Sequence, residues 1–284
     1  MENKIERFRE SIKSNPNLSE EFKCNLGTLT DTLVTVFPDY DYSNYERVLS
    51  SLSVHNDDSI NGYSSYNNDN NSINLNTSKI FEDRIDLQHL FLNNILSIGV
   101  NNQNQSLDGF NKGLTEVISS TMNSDESMKK LNVLESLSMS IFSKIVSPQV
   151  LLDSYMNNDI GSLVVELEGM GIGKDEFDKL LECFNNMGNK EVPLNSSFAD
   201  AEVLMVGMFS KKTDTRLKNG DISYEDISRE YDDFGDFLIF GKSELVSMYP
   251  HHDFSNLTGF ENVKTAIDSA VINSEMIEDV QMTK

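Results

Sequence analysis

The stretch Leu87-Gln88-His89-Leu90-Phe91-Leu92-Asn93-Asn94-Ile95-Leu96 decides how this chain is read. Apolar residues at Ile85, Leu87, Leu90, Leu92, Ile95 and Leu96, with His89 among them, recur too densely for one stripe of a helix. A helix over 79–98 buried on most of its sides is therefore expected. His89 and Asn93, four residues apart, then lie on one face of that helix.

Upstream the period changes. Between about 45 and 76 the short runs Val48, Leu52 and Val54, then Tyr63 and Tyr66, then Ile73 and Leu75 are separated by Asn, Asp, Ser and Gly clusters. That pattern predicts a small antiparallel sheet, with Asn67-Asn68-Asp69-Asn70-Asn71 as a hairpin loop. Nearer the start, Ile5, Phe8 and Ile12 form one helical stripe that should stop at Asn15-Pro16, because the residue before proline avoids the helical region. Ser19 caps a second helix carrying Phe22, Leu26, Leu29 and Leu33, and Phe37-Pro38-Asp39 marks a turn.

Downstream, a loop over 99–109 leads to a helix expected to open near Gly113-Leu114-Thr115-Glu116. Helices follow over 131–146, 148–156, 160–170, 175–186 and 198–217, and a capped start at Asp221-Ile222-Ser223-Tyr224-Glu225 begins another. No fixed-period repeat stands out. The expected fold is α+β and predominantly helical, with an α+β half over 1–122 and an all-helical half over 123–284.

Of 284 residues, 38% are hydrophobic and 24% charged, a balance that supports a buried core. The formal net charge is −23, and a field of that sign repels phosphate backbones and anionic lipid, so no nucleic-acid or membrane partner is expected. Cys24 and Cys183 show neither disulfide-framework nor CxxC spacing and read as two free core thiols. The start, MENKIERFRESIK, alternates charges where a signal peptide needs an apolar run, and no segment reaches the length of a membrane span. A cytoplasmic protein is expected.

In a zincin peptidase a helix bearing H-E-x-x-H grips zinc with two histidines one turn apart, the glutamate polarises the metal-bound water, and a following helix often supplies a glutamate as third ligand. Here His89 stands at the first histidine, Leu90 at the general base and Asn93 at the second histidine. The surroundings, a hairpin over 63–75, the degenerate motif 89–93, and then Gly109-Phe110-Asn111-Lys112-Gly113-Leu114-Thr115-Glu116, resemble zincin-like metallopeptidases of low-GC Gram-positive bacteria. The resemblance covers about 45–122 and implies a short sheet packed on two helices, with Glu116 at the third-ligand position. The departures imply a pseudoenzyme: losing the base costs about 10²–10⁴ in rate, and an amide is a poor replacement for an imidazole ligand. No cofactor or metal is expected, His89 and Glu116 being at most a weak pair, and the function implied is binding of a protein or peptide, a basic one being a candidate partner.

Each residue also has a plain structural reading. A lone histidine on an apolar helix is commonly a hydrogen-bonded core residue, Asn93 can bond within the following loop, and Glu116 in a first helical turn would be favoured by the helix dipole. The alternative function is an acidic helical interaction or regulatory protein without peptidase ancestry, and an active zinc peptidase is the third reading. Weaker candidates are His251-His252-Asp253, expected as a surface turn, and Met170-Gly171-Ile172-Gly173-Lys174, expected as a helix–helix turn rather than a phosphate loop. Carboxylates over 214–226 lack calcium-loop spacing, and the run 230–237 interleaves Tyr231, Phe234 and Phe237 with acids as a packed helix face would.

Overall fold

The computed structural model describes residues 2–100, 105–122, 131–188 and 194–248. The chain forms two compact units, one of Met1–Gln103 with Thr115–Leu131, the other of Asn104–Leu114 with Asn132–Lys284. The architecture is α+β and predominantly helical, as the periodicity predicts. His251, His252 and Asp253 lie outside the described residues.

In the first unit, α1 (Glu2–Lys13) and α2 (Glu20–Val36) pair through Phe8, Ile12, Leu26, Leu29 and Leu33. Ser19 caps α2 as expected, its side chain accepting the Phe22 N–H. The connection is pinned by Asn15, fully buried, whose amide donates to the Leu49 and Leu52 carbonyls at 2.6 and 2.9 Å. Leu49 closes α3 (Ser43–Leu49), which corrects the expectation of strand from about residue 45. Tyr45 and Val48 have β-type side chains, but with Leu49 their spacing of three and four places them on one buried helical face.

The sheet comprises β1 (Ser53–Asn56), β2 (Ser64–Asn67) and β3 (Ser72–Leu75) in the order β1-β3-β2. The expected hairpin forms, with β2 antiparallel to β3 and Tyr66 opposite Ile73. The sheet is nevertheless mixed rather than antiparallel, since Val54 pairs with Ile73 along a parallel β1–β3 ladder. A parallel pair needs a crossover connection, and here the intervening chain with β2 supplies it.

The helix expected over 79–98 is two helices, α4 (Thr77–Glu82) and α5 (Leu87–Gly99). Arg84 interrupts them at φ +55°, a left-handed conformation that no glycine or proline announces, and Asp86 restarts the chain as N-cap by accepting the His89 N–H at 2.6 Å. Helix α6 (Asp108–Met122) begins a turn and a half earlier than expected. Its glycines are packing residues rather than a turn: a Cβ on Gly109 would sit 2.3 Å from the Phe184 backbone, and one on Gly113 would sit 2.6 Å from the Glu135 carbonyl.

The second unit contains α7 (Val133–Phe142), α8 (Pro148–Asn157), α9 (Gly161–Gly169), α10 (Lys174–Met187), α11 (Leu194–Asn219) and α12 (Tyr224–Met248). Phe110, Phe142, Phe177 and Phe184 interlock edge to face and stacked, and Phe209 stacks on Phe234 at 4.0 Å. Residues 170–173 are the turn between α9 and α10, with Gly171 at φ +76°. Ser223 and Asp226 bond reciprocally at the start of α12, and Tyr231 and Phe234 on that helix are buried. The cysteines are free, but neither is the core thiol expected: Cys24 is exposed and Cys183 half-buried.

Candidate functional site: a buried His-Asn-Glu cluster

Helix α5 is held on three sides within the first unit. Phe91 stacks on Phe22 of α2 at 4.1 Å. Asn94 and Ser64 of β2 exchange hydrogen bonds at 2.9 and 3.1 Å. The Asn44 amide of α3 donates to the Gly99 carbonyl at 2.8 Å, and a Cβ at Gly99 would fall 1.8 Å from the Tyr45 ring. Those anchors fix the rotation of α5, so that His89 and Asn93, one turn apart, face α6.

There they meet Glu116. His89 Nε2 lies 2.7 Å from Glu116 Oε1, and the Asn93 amide donates to Oε2 at 2.9 Å. The Leu131 backbone N–H also donates to Oε1 at 3.1 Å, and Ser119, one turn along α6, returns its hydroxyl to the Glu116 carbonyl at 3.2 Å. His89, Glu116 and Ser119 are fully buried and Asn93 nearly so. With the Nε2–H tautomer, donors converge on both carboxylate oxygens, which is how a buried acid is accommodated. His89 Nδ1 has no hydrogen-bond partner among the described residues, and the Nε2–H tautomer leaves there a lone pair rather than an orphaned N–H.

The sequence placed these residues well in one respect and poorly in another. His89, Asn93 and Glu116 are brought together, and Leu90 is buried beside them with no group able to take a proton. Glu116, however, is the ninth residue of α6 rather than a first-turn residue, so the helix-dipole explanation of its carboxylate fails. The likewise buried Ser119 and the Leu131 N–H were missed. Ser119 was legible, since three residues after Glu116 is the same helical face, whereas no side-chain pattern signals a backbone donor.

A zincin-type zinc requires three protein ligands and an open position for water. One imidazole, one carboxylate and a neutral amide do not make that set, and the imidazole Nε2 and both carboxylate oxygens are already joined to each other or to Asn93. Among the described residues no three His, Cys, Asp or Glu side chains group to hold a metal ion. The residues present do not fit zinc. No helix among them is long and apolar enough to cross a membrane. No protein-family model, no curated protein and no solved structure matches the chain.

Proposed function

We propose that the protein is a non-catalytic, zincin-like pseudo-metallopeptidase that acts by binding a protein or peptide partner. One observation carries the reading. The Glu116 carboxylate, at the position where the resemblance implies a third zinc ligand, is bonded by His89 on one oxygen and Asn93 on the other, in a cluster closed to solvent. Metal-assisted hydrolysis needs a water held by the metal and a base to deprotonate it. Leu90 supplies no base, and the Asn93 amide spends its donor on the acid that would otherwise be a ligand.

The same geometry favours recognition over chemistry, because a satisfied internal network fixes the scaffold without requiring an ion. A net charge of −23 favours a basic partner surface by electrostatic steering and disfavours nucleic acid and anionic lipid. The reading places the protein in the cytoplasm.

Elemental analysis of the purified, unchelated protein tests it, together with zinc titration of the wild type, Glu116→Ala and the double variant Leu90→Glu/Asn93→His. The expected result is zinc well below one equivalent in the wild type and a gain of zinc binding in the double variant. Stoichiometric zinc in the wild type that disappears in Glu116→Ala would overturn the reading. A double variant that folds yet binds no zinc would favour an acidic interaction protein without peptidase ancestry.

A further inference from the structure

In the second unit, the groove between α11 and α12 widens beside residue 144 into a cavity of about 370 Å³, within the range of small-ligand sites. Its charged lining is Lys144, Lys212 and Arg216 against Glu230 and Asp233. In a chain where acids outnumber bases two to one, three cations facing two carboxylates is an inversion of the general balance.

The cations differ in how they are engaged. Arg216 is committed, its Nη1 donating to both Glu230 oxygens at 2.6 and 2.7 Å. Lys212, half-buried, makes one hydrogen bond among the described residues, to the Lys144 carbonyl at 2.7 Å, and an ammonium has three donors. The Lys144 ammonium lies 4.7 Å from the centroid of the Phe237 ring. Among the described residues neither lysine has a carboxylate within ion-pair distance. Burial pushes the Lys212 pKa down and Arg216 adds to this, while Glu230 and Glu166 oppose it without cancelling it. The charged form of this side chain is disfavoured chiefly because burial strips it of water, and a ligand anion beside it would offset that loss.

We infer that this cavity binds a small organic monoanion, a carboxylate joined to an apolar body, with the carboxylate between the Lys144 and Lys212 ammoniums and the apolar part against Phe237. One negative charge balances the charged side chains that line the cavity. A phosphate dianion would overshoot that balance and face the Glu230 and Asp233 carboxylates. A neutral ligand would leave the Lys212 donors unmatched. The inference is independent of the proposed function, since every residue it uses lies in the second unit and none belongs to the His89 cluster.

Titration of the full chain by calorimetry and by NMR with 3-phenylpropionate, and with 3-phenylpropanamide as its neutral counterpart, tests it. The expected result is saturable one-to-one binding of the carboxylate, with the amide weaker by about tenfold or more, the worth of one charge-assisted hydrogen bond. Lys212→Met should weaken the carboxylate by a similar factor, Lys212→Arg should restore most of it, and the Lys212 ammonium should hold its proton to higher pH when the ligand is bound. Equal binding of acid and amide, an unchanged affinity in Lys212→Met, or no saturable binding of 3-phenylpropionate by the wild type would each overturn the inference. If Lys212→Met does not fold, Lys144→Met and the acid-to-amide ratio of the wild type decide the matter in the same terms.

Discussion

Among the described residues, two of the buried carboxylates, Glu116 and Glu202, stand on opposite terms. Glu116 in the first unit is fully buried and receives donors on both oxygens, from His89 and the Leu131 backbone on one and Asn93 on the other. Glu202 on α11 of the second unit is only 3% exposed and makes no hydrogen bond to any described residue. Desolvation pushes its pKa up to about 7, with the Lys242 charge opposing. Burial alone does not decide what an acid costs a fold; the donors placed around it do.

Removing the satisfied acid should have the largest effect. Glu116→Ala strands His89, the Asn93 amide and the Leu131 N–H in a closed site and leaves a cavity. It should destabilise the first unit by about 3–5 kcal/mol, read from urea denaturation. A loss under about 1 kcal/mol would mean that water satisfies these donors and the cluster is open.

Glu202 should behave in the reverse sense. Below about pH 4.5 Glu202 is protonated in both states; as pH rises the unfolded chain ionises first, and the folded chain follows only near pH 7. Its contribution to stability therefore falls between about pH 4.5 and 7 and stays low above that, by on the order of 3 kcal/mol in total. Glu202→Gln should lessen that fall, so the variant gains on the wild type between pH 5 and pH 8. Parallel pH profiles for the two proteins would remove the contrast.

Smaller effects sharpen the comparison. Asn93→Leu removes one of the donors on Glu116 while keeping volume, and about 1–3 kcal/mol of destabilisation is expected in thermal denaturation. Lys112→Ala serves as the control. Lys112 is four residues from Glu116 on α6, yet among the described residues its ammonium pairs with Asp108 at 2.6 Å on an exposed face, so a change below about 0.5 kcal/mol is expected.

What the sequence revealed follows the same division between side-chain patterns and backbone events. Ser19 before Glu20 and Glu21, the Asn-rich hairpin, and the convergence of His89, Asn93 and Glu116 were legible because each is a statement about side-chain type and spacing. The break between α4 and α5 was not, because it rests on Arg84 adopting a left-handed conformation within a run of helical periodicity. The start of α6 was obscured by Gly109 and Gly113, which resemble turn residues in one dimension and prove to be points of close backbone approach in three. Residues 45–49 misled through propensity, which burial on a helical face overrode. The Lys144–Lys212 pair gave no signal, because its members lie 68 residues apart and meet only on folding.

The closed Glu116 cluster also constrains how this chain can change. Asn93→His alone would replace the amide donor to Glu116 with a bulkier imidazole in a site already full, and Leu90→Glu alone would bury another acid among aliphatic side chains. Each step is costly without the other, and only together, with an ion bound, could their charges and lone pairs be answered. The substitutions are thus coupled in sign, and neutral drift one residue at a time has no downhill route from this hydrogen-bonded core to a metal-binding one.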